Sequence, residues 1–225
     1  MIRDMSVSNP IARDRDEWPP SRVNMPDISD LKKDLLPISM VSMFVGKAPR
    51  KHPARAYWLT LVRLVDKAVF EYGHAQVAVE AARELPKQRK GLVLLPFDAV
   101  GHFENCINAM HRAMNFVKAL QSARLRKPDG SPVVPRGLPV LSTDATSRID
   151  KMRNAIEHTE KDIAKGVLAV GQPLFLAIGE DDIRLPSVTI RYSELASWIE
   201  QLQHIALELS QYQEPSGATE LTTES

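Results

Sequence analysis

Cysteine is nearly missing from this chain. Cys106 stands alone among 225 residues, which excludes an internal disulfide framework and a Cys-rich zinc site and suits a reducing compartment. An excess of charge of either sign is missing too. Lys plus Arg number 29 and Asp plus Glu 28, for a net charge of +1. Proteins that coat duplex nucleic acid gather a large basic surplus to displace counterions, so the balance argues against that class, though not against local basic patches. No apolar run approaches the roughly 18 to 20 residues of a membrane span, and the N-terminus lacks the pattern of a signal peptide. A cytoplasmic protein without membrane contact is expected. His-x3-His, Cys-x2-Cys and glycine-rich phosphate cradles are absent, so neither a metal nor a nucleotide cofactor is expected.

What is present divides into an arm, a bundle and a tail. Residues 1–50 carry Pro10, Pro19, Pro20, Pro26, Pro37 and Pro49 without a sustained period and read as an extended, partly disordered arm. Within it, Leu31 to Leu36 suits a short helix capped by Ser29 or Asp30. Ile38 to Val45 (ISMVSMFV) is apolar enough to need cover, either from its own bundle or from a second subunit. Residues 51–213 hold the helical part. Arg55 to about Leu85 keeps a 3.6-residue apolar period that Pro86 ends. A second helix runs from about Pro96 or Phe97 to about Leu125. Beside its core stripe lies a polar row, Glu104, Asn108, His111 and Asn115, which is either a solvated flank or the border of a cleft.

A proline-rich loop, 126–141, follows, and with Arg124 it holds the densest basic cluster of the chain, Arg126, Lys127 and Arg136. Such a cluster is either solvated or a track for a nucleic-acid backbone. Further on, Leu174 to Ile178 and Ile183 to Ile190 flank Gly179-Glu180-Asp181-Asp182 and read as a β-hairpin, with Pro186 at an edge or bulge. A last helix starts with Ser193 as N-cap, and residues 214–225 form a disordered acidic tail. The expected fold class is all-α: a four-helix-type bundle with a small β-hairpin before the last helix.

The stretch that organises the chain is Ser142 to Gly166. At 100° per residue, Ala145, Ile149, Met152, Ile156 and Ile163 share one stripe, and Ser147, Lys151, Asn154, His158, Lys161 and Lys165 share the opposite face. Ser142, Thr143 and Asp144 offer N-caps and Gly166 a stop. His158 therefore points outward with Asn154 one turn before it. Arg153, at the stripe's border, is long enough to reach the imidazole or a second copy of the chain. In the plainer alternative, Arg153 pairs along the helix with Glu157 or Glu160 and His158 is merely solvated.

Arg153-Asn154-x3-His158 on the third long helix resembles the Arg-x4-His motif of the HEPN superfamily (higher eukaryotes and prokaryotes nucleotide-binding). The resemblance implies an HEPN-like bundle over roughly 55–212 and a ribonuclease of toxin or phage-defence type. Such an enzyme cleaves single-stranded RNA at a site shared between two copies of a homodimer and leaves a 2′,3′-cyclic phosphate. It also implies catalytic roles for Arg153, His158 and Asn154, and an antitoxin or other regulatory partner. The chemistry agrees: RNA brings its own 2′-OH nucleophile, a histidine moves protons near neutral pH, and an arginine holds the phosphorane's charge. Lys151, Lys161 and Lys165 on the same face, with Arg126 and Lys127 in the loop, would attract the RNA backbone. HEPN toxins modified by a partner enzyme carry a tyrosine two residues after the histidine; here Glu160 stands there. The family also places an acidic or hydroxyl residue on the second core helix near the site; register selects Glu104, with Asn108 as the alternative. A helical module that binds partners through residues 1–50 is the reading from a different class.

Overall fold

The computed structural model describes residues 20, 22–33, 35–49, 53–84, 94–122, 130, 141–166 and 176–211. Among them are α1 (Leu35–Phe44), α2 (Ala54–Glu84), α3 (Leu94–Ser122), α4 (Thr143–Ala164), α5 (Tyr192–Ser210) and the strands β1 (Ala177–Ile178), β2 (Asp182–Leu185) and β3 (Val188–Arg191). The chain is thus mostly helical, with a small antiparallel sheet before the last helix. No described helix is long and apolar enough to cross a membrane.

α2 and α3 form the spine because each carries a long apolar stripe that the other covers. Trp58, Leu61, Val65, Tyr72 and Val79 of α2, and Phe103, Ile107, Met110 and Val117 of α3, are buried. The two helices run antiparallel, since Tyr57 meets Phe116 (ring centroids 6.0 Å apart), the Cys106 thiol reaches the Ala68 carbonyl at 3.5 Å, and His102 meets Glu71 at 2.7 Å. Pro96 lies in the first turn of α3, where its missing N–H costs nothing.

The sheet corrects the expected hairpin. The run Ile183 to Ile190 is two strands, paired from Asp182↔Arg191 to Leu185↔Val188, with Pro186 and Ser187 making the turn between them. Proline's locked φ and absent N–H suit that turn better than any place in a ladder, so Pro186 is neither an edge residue nor a bulge. With β1 pairing through Ile178↔Ile183, the result is a three-stranded meander. Ile183 and Ile190 face the core from adjacent strands.

Tyr192 ties the sheet to the spine. Its ring stacks on Phe103 (5.7 Å), its hydroxyl donates to the Gly179 carbonyl at 3.0 Å, and its N–H donates to the Asp181 carbonyl at 2.9 Å. α5 accordingly begins at Tyr192 with Arg191 as N-cap, two residues before the serine expected there. The signal that locates this start is Glu194, whose Oε2 accepts the Arg191 N–H at 3.0 Å.

Of the segment expected to be an arm, residues 22–33 and 35–49 lie against the bundle. Asn24 N–H donates to the Glu180 carbonyl at 2.8 Å, the Tyr72 hydroxyl to the Pro26 carbonyl at 3.3 Å, and the Gln203 amide to the Leu31 carbonyl at 2.6 Å. In place of a helix from Leu31 to Leu36, there is a 3-10 turn, Ser29–Lys33, whose first amide is taken by the Asp27 carboxylate at 2.8 Å, followed by α1. Residues 1–19 and the tail expected at 214–225 lie outside the described residues, as do Arg124, Arg126, Lys127 and Arg136.

Candidate functional site

α4 is built as its sequence dictates. Ser142 Oγ accepts the Ala145 N–H at 3.0 Å, Asp144 complements the helix dipole in the first turn, and Lys161 does so in the last. At the other end Gly166 takes φ +66°, a value that favours glycine, and its N–H caps the Ile163 carbonyl at 3.0 Å. Ala145, Ile149 and Met152 are buried, and Ile156 is partly so. Ile163, expected on the same stripe, is 52% exposed. The last turns of α4 therefore leave the body of the described fold, and the Arg153–His158 motif sits where the helix departs.

The anchor of α4 is one the sequence reading missed. Arg148 donates from Nη1 and Nη2 to the two carboxylate oxygens of Glu194 at 2.9 and 2.7 Å, and from Nε to Asp144 at 2.9 Å. Nη1 also reaches the Thr189 carbonyl at 3.2 Å, and the guanidinium lies 5.0 Å from the centre of the Trp198 ring. One side chain thus joins α4 to β3 and α5. The Arg148 guanidinium, with the Arg191 N–H, holds the Glu194 carboxyl below its ordinary pKa, and Glu194 raises that of Arg148 in return. Glu194 three residues after an N-cap is the trace this leaves in the sequence; its partner 46 residues away leaves none.

Asn154, His158, Lys151, Lys161 and Lys165 are all exposed on the outward face, as the helical period requires. Among the described residues, Arg153 bonds to neither the imidazole nor another element. Its guanidinium is ion-paired with Glu157, and Nη1 donates to Asn154 Oδ1 at 3.0 Å. Asn154 accordingly serves the arginine rather than the histidine ring. His158 makes no hydrogen bond or ion pair to a described side chain. Its ring is exposed on the outward face of the helix.

α3's polar row touches α4 through His111, whose Nε2 lies 3.4 Å from Asp150 Oδ1. Glu104 and Asn108 make no hydrogen bond or ion pair to Arg153, Asn154 or His158 among the described residues. Burial pushes the Glu104 carboxyl above its ordinary value.

A second polar cluster, spread over two helices, went unread in the sequence. Glu71 of α2 accepts from His102 Nδ1 at 2.7 Å, which leaves Nε2 as the free nitrogen whenever the ring is neutral. The His74 ring packs edge-on to His102 at 5.1 Å and lies 4.0 Å from Phe70. No group of three or more His, Cys, Asp or Glu among the described residues is arranged to hold a metal. Cys106, one turn beyond His102, is fully buried, and burial pushes its thiol well above the ordinary range, so it offers no nucleophile. No family model, curated protein or solved structure matches this chain.

Proposed function

We propose that this chain is a metal-independent endoribonuclease of toxin or defence type, acting on single-stranded RNA with His158 as proton-transfer group, Arg153 as phosphate clamp and Asn154 as their support. The observation that carries the reading is the single outward face of α4, on which an unengaged His158 stands beside Arg153 and Asn154 amid exposed Lys151, Lys161 and Lys165. In the step envisaged, an imidazole takes the 2′-OH proton and the 2′ oxygen attacks the adjacent phosphorus. The bond from phosphorus to the 5′ oxygen breaks, and that oxygen takes a proton from an imidazolium or water. The products are a 2′,3′-cyclic phosphate and a 5′-OH. Two imidazoles, one from each of two copies paired across α4, would serve as base and acid.

The Arg153–Glu157 pair bears on this reading. An exposed ion pair between neighbouring helical turns is worth roughly 0–1 kcal/mol, less than a phosphate gains from a bidentate guanidinium, so RNA displaces Glu157 at little cost. The same pair is the observation that favours the second reading, an inert HEPN-like scaffold in which Arg153 only stabilises its own helix. Incubation of the wild type and His158→Ala with mixed-sequence single-stranded RNA in EDTA separates the two. The ribonuclease reading expects cleavage by the wild type alone, with cyclic phosphate ends and activity retained in Glu157→Gln. Equal cleavage by wild type and His158→Ala, or none by either, refutes it.

A further inference from the structure

α1 is assembled inside out. Its serines face the bundle: Ser39 and Ser42 are buried, and since Ser210 Oγ spends its proton on the Ala206 carbonyl at 2.8 Å, Ser39 is the donor in the 3.0 Å bond between the two hydroxyls. Of its apolar residues, Leu35 is buried and Met43 packs on the core, while most of the others face out. Phe44 is 84% exposed, Val41 59%, and Leu36, Met40 and Val45 are exposed as well. The helix contains no charged residue (LLPISMVSMF). A helix apolar on every side is one that is covered on every side.

We propose that the outer face of α1 is covered by α1 of a second copy of this chain, in a two-fold contact distinct from the α4 pairing. Three features select that occupant. The first is area: the five exposed side chains present roughly 600 Å² of apolar surface in one patch, at the upper end for a monomer. Covered on both copies, the patch comes to about 1,200 Å², the lower end for a specific interface. The second is charge: an uncharged helix meets its own copy across a two-fold without opposing like charges, and it lacks the basic polar face that amphipathic helices turn toward lipid headgroups.

The third is shape. Leu36, Met40 and Phe44 make one ridge at spacings of four, and Pro37, Val41 and Val45 make the next, so the groove between them accepts the matching ridge of a second α1 crossing at about −50°. Beside the projecting Phe44 is a cavity of about 320 Å³ lined by Met43, Gly46, Ala48, Pro49 and Arg55. Knob and hole on one patch are what a self-complementary contact needs. Arg55 lines the cavity and neither it nor Lys47 belongs to the two ridges.

The test is the mass of the full chain by light scattering, for the wild type, Val41→Asp and Phe44→Asp. Both side chains point away from the bundle, so the variants keep the wild-type helical spectrum. The contact requires the wild-type mass to be twice that of each variant, dimer against monomer, or tetramer against dimer if α4 also pairs. It also requires the self-association Kd to rise about 100-fold or more in each variant. Oxidised Val41→Cys should cross-link through the two-fold, while Lys118→Cys on exposed α3 surface should not; Cys106 is buried and does not interfere. A monomeric wild type at about 100 μM, a concentration that fills any contact with micromolar Kd, overturns the proposal, whether the face is then covered by another segment of the chain, a lipid bilayer or a different protein. Unchanged mass in both variants overturns it as well. Arg153 and His158 are untouched in all these proteins, so RNA cleavage is scored separately.

Discussion

Replacing Arg148 by alanine tests whether α4 is held in place by one side chain. The guanidinium makes two charged hydrogen bonds to Glu194, one to Asp144 and one to the Thr189 carbonyl, and it covers Trp198. Arg148 and Glu194 are 24% and 32% exposed at their side chains. The pair therefore falls between exposed ion pairs, at about 0–1 kcal/mol, and buried ones, whose rupture costs about 3–5 kcal/mol. Asp144 is open to water and adds little; contact with Trp198 adds about 0.5 kcal/mol. The expected loss is about 2 kcal/mol, or roughly 4–8 °C in Tm for a chain of this size. Urea titration followed by circular dichroism measures it.

In a double-mutant cycle with Glu194→Gln the coupling energy should exceed about 1 kcal/mol. The pH dependence has a fixed sign. Glu194 ionises more readily folded than unfolded, so its contribution is present above the unfolded carboxyl's value of about 4.3 and disappears as pH falls through the lower folded value. Arg148→Ala should flatten that acid limb. A loss below about 0.5 kcal/mol, or additive single effects, would show that α4 is held by its apolar stripe alone.

Other consequences follow from the same geometry. Ile149→Ala should cost about 2–5 kcal/mol, whereas Ile163→Ala, on the same stripe but beyond the described core, should cost less than about 1 kcal/mol; equal losses in urea titrations would mean that α4 is covered to its end. Ser142→Ala removes the N-cap and should cost about 1 kcal/mol, with hydrogen exchange accelerated first at the amides of residues 144–146. Burial alone raises the Glu104 pKa, so the ionised form weakens the fold at neutral pH and not at pH 4. Glu104→Gln should therefore gain a few tenths to about 1 kcal/mol at pH 7 and nothing at pH 4, while a loss at pH 7 would point to an unrecognised cation beside it. The Cys106 thiol should resist a disulfide reagent in the native protein and react on unfolding at the rate of the free thiol; rapid native labelling would contradict its burial.

The amino-acid sequence by itself determined the helices and their faces. α2, α3 and α4 lie within a few residues of where period, proline and caps put them, and Lys151, Asn154, His158, Lys161 and Lys165 point outward because a 3.6-residue repeat allows nothing else. Such features depend on neighbours a turn away, and so they are local. Tertiary structure decided the pairings. It decided that Arg148 clasps Glu194 and Trp198, that His102 meets Glu71, and that among the described residues the stripe of α4 is covered no further than Ile156. It also decided which face of an evenly apolar α1 turns inward. With no gradient of hydropathy around that helix, the choice fell to two buried hydroxyls finding each other and to the shape of the surface on which α1 lies.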